Sequence, residues 1–235
     1  MAKVELTETE KNNSEKSCIY CGSGEDMTVD HIPPKALFPE PRPSNMLTVP
    51  CCYKCNESFS KDDEYFRTVL VSHASVSSDP NVQAVNKKLL RSMSRPEAAA
   101  MAIAIRKSLH VVDVTSRGGI YLGRSPAMTV NADRINRVTD RIARGLFYIT
   151  HNYPVPMRYE VTCVFKDATF SMPEEFIVPW RGFWKQPITI GKNVFSYSYA
   201  LCVDDSNGML FIYGFYGNLW FYGYVVPKSE VEVAQ

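Results

Sequence analysis

Long hydrophobic runs are missing from this sequence. None of its apolar stretches approaches the ~18–20 residues needed to span a bilayer, so no contact with a membrane interior is expected. The first seventeen residues, MAKVELTETEKNNSEKS, are charged and lack an apolar segment, which argues against a secretory leader. Residues 1–16 read as a mobile lead-in. A cytoplasmic setting is the expectation, and there cysteines serve mainly as thiols or metal ligands. No glycine-rich strand-to-helix motif occurs, so no phosphate-cradling loop and no nucleotide hydrolysis are expected. Internal repeats and low-complexity tracts are also absent.

What is present suits a folded chain. The 235 residues fit one large domain or two small ones, and 45% apolar content is enough for a real core. The net charge of +1 conceals an uneven distribution. Residues 1–65 sum to −5, residues 66–150 to +8 and residues 151–235 to −2. The basic middle is where a polyanion would dock.

Residues 17–56 are rich in Gly, Pro and Cys and short of periodic apolar pattern. Such a segment cannot bury much surface, and a metal is the usual substitute for a core. From 57 the pattern turns helical, with an amphipathic helix expected over roughly 57–73 and others over 81–93 and 96–109. HVVDVTSRGGIYLG reads as a hairpin turning at Arg117-Gly118-Gly119. Residues 131–149 give the clearest helix, with Ile135, Val138, Ile142, Leu146 and Ile149 at spacings of 3, 4, 4 and 3. Beyond His151 the segments YEVTCVF, NVFSYSYALCV, GMLFIYGFYG and LWFYGYVV are β-branched and aromatic. Asn207-Gly208 marks a hairpin between two of them. An antiparallel sheet packed by the 131–149 helix is expected.

Five of the seven cysteines lie between positions 18 and 55. Cys18-Ile19-Tyr20-Cys21 and Cys52-Tyr53-Lys54-Cys55 are two CxxC turns, together able to supply the four thiolates of a tetrahedral zinc. Cys51 could replace Cys52, but only Cys52 preserves the two-residue gap. Reduced buried thiols or disulfides are the competing reading. Cys163 and Cys202 sit alone in apolar strands and read as small buried hydrophobes.

CIYCG, VDHIPP and SNMLTVPCCYKCN, in this order and spacing, resemble the zinc-stapled form of the HNH endonuclease family, the ββα-metal or His-Me finger nucleases. The resemblance covers about residues 17–66. It implies an N-terminal zinc-stapled ββα-metal finger over 17–75 and says nothing of residues 80–235. With the patterns read above, the expected class is α+β, the finger being followed by helices and a C-terminal antiparallel sheet packed by a helix, residues 76–235 forming a second α+β domain. The resemblance also implies a metal-dependent endonuclease. His31 would be the general base, since a neutral imidazole takes a proton near pH 7. Asp30 and Asn56 would hold a catalytic Mg²⁺ or Mn²⁺ through hard oxygen ligands. Asn45 would fix the loop and orient His31. Cys18, Cys21, Cys52 and Cys55 would bind structural zinc. Asp63, two helical turns after Asn56, could assist the catalytic ion or be a solvated carboxylate. His73, His110 and His151 read as structural or surface residues.

Arg134, Arg137, Arg141 and Arg144 recur on one stripe of the 131–149 helix and match phosphates along a nucleic-acid backbone. Lys87, Lys88 and Arg91, with Arg95, form a second cluster. Solvated helix faces are the alternative for both. The aromatic run FIYGFYGNLWFYGYVV could stack on bases or fill a sheet core. The expected activity is hydrolysis of phosphodiesters, most naturally in DNA, with RNA open. The resemblance makes restriction, phage defence or mobile-element processing a setting for it. The alternatives are a zinc-stabilised nucleic-acid-binding or protein-interaction module without catalysis, or a nuclease effector activated by a partner or ligand. The C-terminal domain would dock substrate, bind a regulatory protein or form a homo-oligomer.

Overall fold

The structure is a computed structural model and describes residues 17–116, 118–166, 184–203 and 205–228. The expected lead-in over 1–16 and Arg117 at the expected hairpin tip lie outside the described residues.

Strands β1 (Met27–Ile32) and β2 (Leu47–Cys52) form an antiparallel hairpin, with Asp30 opposite Val49 and His31 opposite Thr48. Side chains alternate across a strand, so Asp30 and Ile32 turn into the protein while Val29 and His31 turn outward. Helix α1 (Tyr53–Ser72) follows β2 without a loop. It begins four residues before the apolar period becomes visible. Cys52 is its N-cap, and the Cys52 sulfur accepts from the Cys55 N–H. The start is thus set by the second CxxC turn rather than by amphipathicity.

Helix α2 (Pro80–Met93) is capped by the Asp79 carboxylate, which accepts from the N–H groups of Asn81 and Val82. The helix expected over 96–109 divides into a 3-10 turn at Pro96–Ala98 and helix α3 (Ala99–Ser108). Strands β3 (Leu109–Thr115) and β4 (Tyr121–Met128) make the expected hairpin. Helix α4 (Ala132–His151) starts on an Asn131 cap and ends where Asn152 adopts a left-handed conformation.

The C-terminal strands are β5 (Tyr159–Lys166), β6 (Ile188–Ile190), β7 (Phe195–Leu201), β8 (Met209–Phe215) and β9 (Leu219–Pro227). They form an antiparallel sheet in the order β5-β9-β8-β7-β6. β6 was not expected, because three residues are too few to display an alternation.

One apolar cluster joins these parts. It contains Ile32 and Val49 of the first hairpin, Phe66 and Leu70 of α1, Val138, Ile142 and Leu146 of α4, and Phe195, Phe211, Phe215 and Phe221 of the sheet. The aromatic run is therefore mostly core: Phe211, Tyr213, Phe215 and Phe221 are almost completely buried, which removes them as base-stacking platforms. Phe66 meets Phe215 edge-on at 5.5 Å, the geometry aromatic quadrupoles favour. The boundary expected near residue 75 runs through this shared core. The Tyr216 hydroxyl donates across it to the Leu37 carbonyl at 2.8 Å.

Gly145 decides how closely α4 approaches the first hairpin. A Cβ there would collide with the Ile32 side chain. Glycine lets α4 press against the end of β1, and Arg141, one turn earlier on the same helix face, is carried to Asp30.

Candidate functional site

The two CxxC turns meet. The sulfur atoms of Cys18, Cys21, Cys52 and Cys55 all lie within 4.8 Å of one another, and Cys21 and Cys52 are 3.6 Å apart. Four thiolates around a tetrahedral zinc, with Zn–S of ~2.3 Å, sit ~3.8 Å from each other. The four-cysteine group therefore fits a structural metal such as zinc. Its electrostatics point the same way. Burial opposes ionisation of Cys18, yet hydrogen bonds from the backbone of Cys52, Tyr20 and Cys21 bring its thiol down to about 7. Burial and the neighbouring sulfurs push Cys55 up. Without a cation this crowd tolerates little more than one negative charge. Cys51 is fully buried outside the group, and burial raises its thiol. The gap-preserving choice of Cys52 is the one the geometry makes.

Beside the cysteines lies a cluster of charge that the sequence did not assemble. Asp30 is only 5% exposed. Its Oδ2 accepts from the Tyr20 hydroxyl at 2.8 Å and lies 3.3 Å from Arg141 Nε. Arg141 is 3% exposed, and its Nη2 donates to Asp63 Oδ1 at 2.5 Å. The Phe59 ring closes the guanidinium plane at 4.4 Å. One guanidinium thus serves two carboxylates. The second negative charge has no full partner, and burial pushes the Asp63 carboxyl up to about 6 against the pull of Arg141. Arg141 Nε is buried without a hydrogen bond of its own, so its hold on Asp30 is coulombic.

Both expected ligands of the catalytic ion make contacts with other groups. Asn56 and Asp30 do share a face of β1. However, the Asn56 amide nitrogen donates to Thr28 Oγ1 and to the Val29 carbonyl, both at 3.1 Å, pinning α1 to β1. Asp30 meets Arg141 and Tyr20 instead. Among the described residues, no group of three histidine, cysteine or carboxylate ligands gathers outside the four cysteines. In this arrangement the positive charge beside Asp30 is that of a buried guanidinium. Asp63 does converge on Asp30, through Arg141, and is not the freely solvated carboxylate weighed as an alternative.

His31 sits on the outward face of β1, half-buried. Burial, then the charge of Lys35, lowers its pKa below 6.5, with Asp30 opposing. The ring is neutral at pH 7, the form a general base requires. Asn45 lies exposed in the turn before β2, and among the described residues no hydrogen bond joins it to His31.

The arginine stripe of α4 is divided between α1 and solvent: Arg134 and Arg141 turn to α1, while Arg137 reaches α1 from an exposed position. Arg134 Nε and Arg137 Nε each reach Asp62 at 2.6 Å, and Arg134 stacks on Tyr65 at 4.3 Å. Burial would raise Asp62, but hydrogen bonds from Arg137 and Arg134 hold its carboxyl below the usual range. Arg141 is inside and cannot be a surface phosphate contact. Arg137 and Arg144 instead line a cleft of about 580 Å³ with Tyr20, Phe59 and Arg141. Lys87, Lys88 and Arg91 are exposed on α2, with Lys88 3.8 Å from Glu40. His151 is stacked on Phe147 at 4.2 Å, and His73 and His110 pair with nearby serine groups, as structural residues do.

Sequence reading missed Tyr20, Phe59 and Asp62 as members of this cluster. Tyr20 carried a faint signal, a hydroxyl inside the first CxxC turn. The partners of Asp62 and Asp63 lie more than 70 positions away on another helix, which no local pattern reveals. In comparison with known proteins, no family model, no curated protein and no solved structure matches this chain. No helix among the described residues is long and apolar enough to cross a membrane.

Proposed function

We propose that the chain is an HNH-type phosphodiester hydrolase acting on DNA, with RNA as the other candidate substrate. The observation that carries this reading is His31. It stands on the outward face of a hairpin joined to a helix at the four-cysteine group, and its surroundings keep the imidazole neutral at pH 7. In that role His31 takes the proton from an attacking water. The order CxxC, Asp-His, Asn, CxxC-Asn supports the reading, and the cleft at Arg137 and Arg144 offers cations to a polyanion. HNH chemistry also calls for a divalent cation.

A second reading is favoured by one specific contact. Arg141 lies on Asp30, where an HNH enzyme would place that cation. In this reading the nuclease is latent, and a partner or ligand must draw α4 and its guanidinium away. The test is nicking of supercoiled plasmid with Mg²⁺ or Mn²⁺, using the parent chain, His31→Ala and Arg141→Ala, each checked for bound zinc. Metal-dependent nicking by the parent that His31→Ala reduces at least 100-fold supports the open nuclease. Nicking that appears only in Arg141→Ala supports the latent one. No cleavage of plasmid or RNA by any of the three chains sinks both.

A further inference from the structure

From Leu90 to Arg137 not one described residue is buried. The stretch is nonetheless apolar. Leu90, Ile103, Leu109, Val111, Val112, Ile120, Tyr121 and Leu122 are all exposed, with Val111 at 64%, Leu122 at 65% and Ile120 at 69%. Helix α3 buries no residue on any side. The β3–β4 hairpin is a sheet of two strands only, and an isolated two-stranded hairpin is marginal in water. Exposed apolar surface of this extent marks an interface.

One face of the hairpin is especially open. It carries Leu109, Val111 and Pro126, with Leu122 at the bulge beside Gly123. The charged side chains of that face, Asp113 and Arg124, lie opposite each other at 3.3 Å and neutralise one another. The two strand edges differ. β4 is interrupted by Pro126, which has no N–H, and by its bulge. β3, LHVVDVT, has a donor at every position, is largely β-branched, and carries none of the lysines, prolines or bulges that blunt a free edge.

We propose that this arm is a homodimer interface, in which β3 of one copy pairs antiparallel with β3 of a second copy across a two-fold axis. Leu109, Val111 and Leu122 of the open face lie exposed beside the free β3 edge, and a second copy joined at that edge extends this apolar face toward the ~800 Å² per partner that a standard interface buries. An isologous pairing closes on itself and covers both unprotected edges at once, giving a four-stranded sheet with the blunted β4 edges outside. A nucleic acid would need cations on this face rather than Leu, Val and a neutralised ion pair. The proposal does not depend on which reaction the chain performs.

The experiment is sedimentation of the full chain, nuclease-treated and zinc-loaded, in low salt and in 1 M NaCl. Twice the 26.6 kDa chain mass in both salts is the expected result. The double variant Val111→Lys with Leu122→Lys should run at one chain mass, with unchanged far-ultraviolet dichroism and zinc content and dimer dissociation raised at least 100-fold. Met157→Lys, at an exposed position outside the arm, should remain dimeric. A parent chain monomeric at high micromolar concentration overturns the proposal. So does a dimer that the double variant leaves intact, one that dissociates in 1 M NaCl as a nucleic-acid bridge would, or one that Met157→Lys also breaks.

Discussion

Asp63 shows at the scale of one residue how a pair becomes a triad with unbalanced charge. Asp30 and Asp63 share the Arg141 guanidinium, so the folded state holds one carboxylate more than it can match. Asp63 answers by titrating near 6, well above its usual 3.8, because burial outweighs the attraction of Arg141. A carboxyl raised on folding contributes stability that is complete below its unfolded value and is lost as pH rises through its folded value. Asp63 therefore costs the folded chain progressively more between about pH 4 and 7. Asp63→Asn should gain on the parent by roughly 1–2 kcal/mol from pH 4.5 to 7.5, allowing for the partial exposure of the carboxylate. Urea melts at both pH values check this, and parallel parent and variant profiles would contradict it. His31 is a base, and burial lowers its pKa, which favours the neutral imidazole.

At the scale of elements, the contact between α4 and the first hairpin governs the polar cluster. Gly145 permits it: Ala at 145 would drive its Cβ into the Ile32 side chain. Overpacking of this kind costs about 1–3 kcal/mol when the neighbour cannot move away, and Ile32 is fully buried. Gly145→Ala should lower the urea midpoint accordingly. It should also loosen Arg141 from Asp30, since Gly145 and Arg141 lie one turn apart on α4. Equal midpoints for parent and variant would show that Ile32 repacks freely. The same helix explains why the arginine stripe misled. Its spacing of 3 and 4 correctly placed Arg134, Arg137 and Arg141 on one face, but periodicity does not say what that face meets. It meets Asp62 and Asp63 of α1.

Across the whole molecule, the first hairpin with its helix and the C-terminal sheet share one apolar cluster. Residues 17–75 contribute Ile32, Leu37, Phe38, Val49 and Phe66 to the cluster that also contains the sheet aromatics. The four cysteines hold the chain end that supports this hairpin. Metal removal should therefore lower the thermal transition of the whole chain, by a shift of several degrees or more, rather than melt the cysteine-bearing hairpin alone. Calorimetry before and after chelation checks it, and two independent transitions would contradict a common core. Cys52→Ser should reproduce the chelated state, whereas Cys51→Ser should retain the metal.

Much of this was legible along the chain. Helical and alternating periods located α1, α2, α4 and the long strands, because a buried face imposes its own repeat on the sequence. The CxxC spacing named the four cysteines, because two thiolates on one turn must be two residues apart. The start of α1, the split before α3 and β6 were not legible, since a cap, a 3-10 turn and a three-residue strand carry no period. Nor were the partners of the charges. Whether Asp30 faces a metal ion or a guanidinium, and whether the arginines face solvent or carboxylates, depends on α4 docking against β1 and α1 across more than 70 residues of chain. Coulombic pairing acts through space, and only the tertiary structure brings those charges within reach of one another.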